Sequence, residues 1–377
     1  MSTATLGSLS LHRDTPAATL QIAPTRREFL IAITTGAVGL RLPSQIRTTM
    51  CLAYTSFVVR MLQGRDILKT TAAALGADTF FDLCHRAGAS GCQLDLSQLE
   101  SHDAEYLRRL RTRLEELQLA IELSVPSKWL ESDDALDEMA AVAKALDASR
   151  LRVALLYGRR YESFSTRQEW RAFADRWRAT LRDRKARIER HGLRVGIENH
   201  KDWLTHELVE LLRHLDSPYI GACVDFGNNV AMLEDPLETV QALAPFAVTT
   251  HLKDMAVRET SDGFELSEVP LGRGLLPLAR LLDVLRRAQP EIRFVLEMIT
   301  RDPLPVPYQT DRYWIAFDDE ARAPERVRRF KQSVLARATA APLPRTTGLS
   351  PEQQLALEDD NVAVSVRYAR DELGLRV

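Results

Sequence analysis

Glu198, Asp225, His251 and Glu297 each close a short apolar run, in Leu193–His200 (LRVGIENH), Tyr219–Asn228 (YIGACVDFGN), Ala247–Asp254 (AVTTHLKD) and Ile292–Ile299 (IRFVLEMI). They are separated by 27, 26 and 46 residues. A strand, a crossover helix and two loops take roughly 25–35 residues. The spacing therefore places the four on successive parallel strands, at the same end. Two glutamates, one aspartate and one histidine converging there form a donor set for a hard or borderline divalent cation. Such a cation, chelated by a carbonyl and its neighbouring hydroxyl, stabilises an enediolate. A carboxylate on each side then allows a proton to leave one face and return on the other. Side chains alternate along a strand, so His200 shares a face with Glu198, and Lys253 with His251. Metal-bound carboxylates are poor bases, and Lys253, His200 and Glu122 are placed to assist. A lysine there polarises a carbonyl or binds a carboxylate, which favours a sugar acid or keto acid over a neutral sugar.

These residues need a scaffold that brings strand ends together. After Met50 the chain alternates β and α. Strands are expected at Cys51–Val59, Gly91–Ser97, Leu119–Val125, Arg150–Leu156, Arg194–Asn199, Tyr219–Asp225, Val248–Leu252 and Arg293–Met298. Amphipathic stretches separate most of them, with apolar residues recurring at three and four, as in Leu107, Leu110, Leu114 and Leu117. Eight such units predict an α/β fold, a closed (β/α)8 TIM barrel whose catalytic end lies beyond the strand C-termini. An open doubly wound sheet would carry a glycine-rich phosphate turn after its first strand, and Tyr54-Thr55-Ser56-Phe57 has none. Asp302–Phe317 follows the last strand, as a lid or a packed loop. Ser350-Pro351-Glu352-Gln353 opens a C-terminal helix with a capping box.

The 377 residues carry a net charge of −2, which gives no reason to expect nucleic acid or an anionic membrane as partner. Cys51, Cys84, Cys92 and Cys223 lack CxxC spacing and read as buried free thiols. Thr25-Arg26-Arg27-Glu28-Phe29-Leu30 resembles a twin-arginine export signal, and the apolar run after it is too short to span a bilayer. Three segments are expected: a leader over 1–49, the barrel over 50–340 and a C-terminal helical extension over 341–377. The expected location is periplasmic, or cytoplasmic if translation starts at Met50.

IENH, VDFGNN, THLKD and LEM, in this order and spacing, resemble the sugar phosphate isomerase/epimerase family with the xylose isomerase-like TIM barrel. The likeness runs from Cys51 to Glu297, and GADTFFDLCHRAGASGCQLDL is similar to the family's first helix and second strand. The resemblance implies that Glu198, Asp225, His251 and Glu297 bind one divalent cation, manganese first, with magnesium, cobalt or zinc as alternatives. It implies catalytic roles for Glu198 and Glu297 as well. Asn199, Asn228 and Arg301, with Glu122, are candidates for binding substrate. The expected activity is isomerisation or epimerisation of a sugar or sugar acid, and the same enolate chemistry serves a lyase: a keto-acid decarboxylase, a dehydratase or a β-eliminating enzyme. A DNA-cleaving barrel would need more histidines and a basic groove, and a sugar-binding protein would not need four ligands. The expected partner is a small carbohydrate or sugar acid, with a second copy of the chain, in a homo-oligomer, as a further option.

Overall fold

The computed structural model describes residues 49–68 and 75–376. The Arg26-Arg27 segment lies outside the described residues. Among the described residues eleven strands occur in chain order: β1 Met50–Ala53, β2 Gly91–Asp95, β3 Ala120–Ser124, β4 Arg150–Val153, β5 Arg194–Glu198, β6 Ile220–Asp225, β7 Ala247–His251, β8 Asp254–Thr260, β9 Gly263–Val269, β10 Phe294–Leu296 and β11 Leu304–Val306. Eight form one parallel sheet in the order β10-β1-β2-β3-β4-β5-β6-β7. The ring closes between β7 and β10, where Leu252 N donates to Val295 O at 2.7 Å and Glu297 N to Leu252 O at 2.9 Å. This is a (β/α)8 barrel. Every residue of β6 is buried, because such strands are covered on both faces and read as continuous apolar runs.

The helices between strands follow from local signals. In Arg167–His191, the Thr166 side chain accepts from Glu169 N at the start, and Gly192 ends the helix at φ 68°. Leu107, Leu110 and Leu114 form the buried stripe of Ala104–Glu116. All four cysteines are buried and free. Among the described residues no helix is long and apolar enough to cross a membrane.

The structure departs from the sequence reading in two places. First, β1 stops at Ala53, and Val58–Leu68 is a helix rather than the end of a strand. The turn is set by distant partners: Ser56 Oγ donates to Leu296 O and accepts from Met298 N. The buried Glu358 carboxylate, from the C-terminal helix Pro351–Asp371, accepts from Val59 N at 2.6 Å. Second, a hairpin of β8 and β9 leaves the barrel after β7, and β11 joins it antiparallel. Its Ser261-Asp262-Gly263 turn was the readable signal, an Asp-Gly between alternating runs. Ahead of the helix Leu278–Ala288, the Gly272 and Gly274 amides both donate to Asp254 Oδ2.

Asp302–Phe317 packs down rather than standing open. Tyr313 and Phe317 are buried and stack at 5.2 Å between ring centres, and Tyr313 Oη donates to Ala231 O. Ser350 and Gln353 form the expected reciprocal cap at the start of Pro351–Asp371.

Candidate metal centre

Glu198 and Asp225 are the last residues of β5 and β6, His251 is the last of β7, and Glu297 follows β10. Register pairs Asp225 with His251. One donor atom from each of the four lies within 4.8 Å of every other, and all four side chains are buried. His251 Nδ1 is 3.3 Å from Glu198 Oε1, 3.7 Å from Asp225 Oδ2 and 3.2 Å from Glu297 Oε2.

The tautomer tests whether a cation fits. His251 Nε2 donates to Gln93 Oε1 at 2.8 Å. In the neutral ring this leaves a lone pair on Nδ1, aimed at three carboxylate oxygens. His251 Nδ1 and Asp225 Oδ2 are buried without a hydrogen bond of proper geometry. A lone pair facing carboxylates is repulsive unless a positive charge sits between them. A divalent cation fits that place, and an oxygen-rich set with one imidazole suits magnesium or manganese. Burial alone would lower the His251 pKa, but Glu297 and Glu198 outweigh it and hold it well above the usual value. That is the same demand for positive charge, expressed as a proton.

Around these four, other side chains fix each carboxylate. Arg152, buried on β4, donates to Glu198 Oε2, and Asn228 Nδ2 donates to Glu198 Oε1 at 2.9 Å. Lys253 Nζ lies 2.5 Å from Glu297 Oε2 and 2.8 Å from Asp225 Oδ2, and Thr55 Oγ1 donates to Glu297 Oε1. Burial would raise both glutamates, yet Arg152 and His251 pull Glu198, and His251 and Lys253 pull Glu297, well below the usual range. Asn228 N and Gly227 N donate to Asp225 Oδ1.

Of the sequence candidates, Lys253 and Asn228 touch the carboxylates directly. Arg301 pairs with Glu268. Asn199 is spent on the backbone: its Nδ2 donates to Asp225 O and its Oδ1 accepts from Asp225 N. It positions β6 against β5. Glu122 does not join the centre. It stands mid-strand in β3, accepts from Thr249 Oγ1 at 2.6 Å, and has Arg150 and Arg293 at 3.8 Å. Arg150 begins β4 and Arg293 immediately precedes β10, so Glu122 belongs to a layer nearer the N-terminal end of the barrel. His200 Nδ1 donates to Leu156 O at 2.8 Å, and burial lowers its pKa to about 4. It is neutral, with Nε2 as the free lone pair. Exposed Tyr157 lies beside His200 and Arg152, marking the solvent side.

The sequence reading missed Gln93, Arg152, Lys201, Thr55 and Glu268. Arg152 carried a signal, a charge inside an otherwise apolar strand; the others carried none.

Asp202, fully buried after β5, accepts from His200 N and Trp203 N through Oδ1, while Oδ2 has no partner. Burial pushes its pKa up to about 7. The folded state therefore holds this proton more tightly than the unfolded chain, whose value is 3.8. Stability falls as pH rises from about 4 to 7 and is flat above, by on the order of a few kcal/mol. Asp202→Asn removes this dependence. The stability of wild type relative to the variant, from urea midpoints, is expected to drop between pH 5 and pH 8; a constant difference would refute the assignment.

The comparisons with known proteins agree with this geometry. Residues 72–331 match the model of the xylose isomerase-like TIM barrel family. A 3-oxo-isoapionate decarboxylase from Pectobacterium atrosepticum is 28% identical over 226 residues, 59% of this chain and 78% of that protein. Among solved structures, a xylose isomerase-like TIM barrel protein from Mycobacterium smegmatis in complex with magnesium superposes with a TM-score of 0.52 at 16% identity, covering 74% of this chain and 98% of that one. A D-psicose 3-epimerase superposes at 0.55 and 11% identity, covering 86% and 99%. Closed eight-stranded topology, strand-end carboxylates and a family match over more than half the sequence agree: the chain belongs to the xylose isomerase-like TIM barrel family.

Proposed function

We propose that this protein is a divalent-metal-dependent lyase that decarboxylates a 3-oxo sugar acid, with Glu198, Asp225, His251 and Glu297 as ligands of magnesium or manganese. The observation that carries this reading is the engagement of both carboxylates an epimerase would use. Epimerisation takes a proton from one face and returns one to the other, which needs two groups able to act as bases. Glu198 has both oxygens held, by Arg152 and Asn228, and Glu297 has both held, by Thr55 and Lys253. A carboxylate held in this way is a weak base.

Decarboxylation needs no base. The bond between the α-carbon and the carboxylate breaks, its electron pair stays on the skeleton as an enolate, carbon dioxide leaves, and a proton is added afterwards. A bound cation supplies Lewis acidity toward the 3-oxo group. The chain's own charges complement this. Arg152, Lys201, Lys253 and Arg301 are the cations around Glu198, Asp225, Glu268 and Glu297. Four face four, so a divalent cation leaves a buried excess of two positive charges. An anionic substrate offsets that excess. The decarboxylase among the relatives supports the same substrate class.

The isomerase reading retains one observation: neutral His200 offers a single unengaged base. One base serves proton return between adjacent carbons, as in aldose–ketose isomerisation, with no loss of carbon. Magnesium- or manganese-loaded protein incubated with 3-oxo sugar acids and with ketoses separates the two. Carbon dioxide release from the acids is expected; a product of unchanged mass from either class would favour isomerisation and defeat the lyase reading.

A further inference from the structure

Lys201 is unlike the other cations of the centre. It is 4% exposed and sits at φ 64°, a left-handed conformation that a side-chain-bearing residue rarely adopts. Its neighbours hold it there. Arg160 N donates to Lys201 O at 2.9 Å, and Asp202 Oδ1 ties the flanking amides of His200 and Trp203. A strained backbone locked from several sides is characteristic of functional positions.

Among the described residues its charge has no carboxylate at ion-pair distance. Arg152 has Glu198, Lys253 has Asp225 and Glu297, and Arg301 has Glu268. The Lys201 ammonium donates to Asn228 Oδ1, a neutral oxygen, and makes no ion pair. That same Asn228 reaches Glu198 Oε1 through its amide nitrogen, so the ammonium stands one side chain away from the proposed ligands. Burial lowers its pKa to about 8, Lys253 and Arg301 push the same way, and the more distant Glu268 and Asp225 oppose them only in part. A buried ammonium with no carboxylate at ion-pair distance, next to two other cations, is a costly arrangement that an anion arriving with the substrate would relieve.

We propose that Lys201 binds the carboxylate of the substrate and makes the site selective for sugar acids over neutral sugars. The inference rests on the sugar-acid reading above and assigns the residue that recognises the acid. An ammonium on the carboxylate that is to leave binds the substrate at least as strongly as the transition state, from which that charge is departing, so its removal raises KM and does not lower kcat.

The test uses the full chain loaded with magnesium, titrated calorimetrically with D-gluconate and with its neutral counterpart glucitol. Wild type is expected to prefer gluconate. Lys201→Gln, which keeps a donor to Asn228, and Lys201→Met are expected to lose roughly 10- to 100-fold of gluconate affinity, as for a charge-assisted contact, with glucitol affinity and magnesium content unchanged. Lys201→Arg is expected to recover much of the preference. A gluconate preference that persists in Lys201→Gln overturns the proposal, whatever the outcome of the carbon dioxide assay. Loss of the preference without carbon dioxide release by wild type would leave the carboxylate site standing and remove only the lyase assignment. With a turned-over acid, a higher KM at unchanged kcat supports carboxylate binding, and a lower kcat at unchanged KM overturns it in favour of proton donation.

Discussion

His251→Ala and Asp225→Ala are each expected to lose most of their bound metal and to lower turnover by about 1000-fold or more. The reason lies in the number of donors. Four side chains meet at the centre, and removal of either leaves three, two or three of them carboxylates that repel one another in a buried place. Lys253 already draws on Asp225 and Glu297, so the remaining carboxylates are expected to relax onto it rather than hold a dication. Gln93→Leu is the graded control. It leaves all four donors but frees the Nε2 hydrogen of His251 from its acceptor, and loss of such an outer partner typically weakens metal binding 10- to 100-fold. Elemental analysis and metal titration of the three variants give the order. Full occupancy in both alanine variants would dismiss the ligand assignment. Barrel stability rests on apolar layers, so circular dichroism is expected to remain near wild type throughout.

Arg160→Met is expected to have the largest effect on stability. Arg160 is fully buried, and its guanidinium carbon lies 3.8 Å from the centre of the Trp170 ring and 4.5 Å from that of Phe317. It donates to Ala316 O, to Asp202 O and to Glu207 Oε2 at 2.7 Å. Burial lowers its pKa, partly offset by Glu207. Methionine fills much of the volume but donates nothing. Two backbone oxygens and one carboxylate oxygen lose their donor, a loss of about 3 kcal/mol or more. The same guanidinium holds the loop after β5 through Asp202 O, so activity is expected to fall with stability. A urea midpoint within error of wild type would show that the aromatic sandwich stands without the charge.

Much of the fold was legible because its signals are local. Runs such as Ile220–Asp225 are apolar throughout, and spacing by a helix between runs admits few architectures besides a barrel. The candidate ligands were legible for a related reason: a charged residue at the end of an apolar run is placed by the strand itself, and four runs in register bring four such ends together. The helix at Val58 was not legible, because its cap is Glu358, some 300 residues later in the chain. The hairpin β8–β9 was signalled by Asp262-Gly263, but the long interval before Glu297 concealed it under the assumption of one helix per strand.

By itself, then, the sequence determined the alternation of elements and the residues that end the barrel strands, since periodicity and strand direction depend on neighbours along the chain. Tertiary structure alone decided what each charge faces. Arg152 reaches Glu198 from the neighbouring strand, Gln93 sets the tautomer of His251 from the far side of the barrel, and Glu122 falls into a lower layer with Arg150 and Arg293. Electrostatic roles depend on distance and burial, and neither is written in the order of residues. Lys201 shows this most plainly: in the chain it is one more polar residue after a strand, and only the closed barrel makes it a buried cation with no ion-paired carboxylate among the described residues.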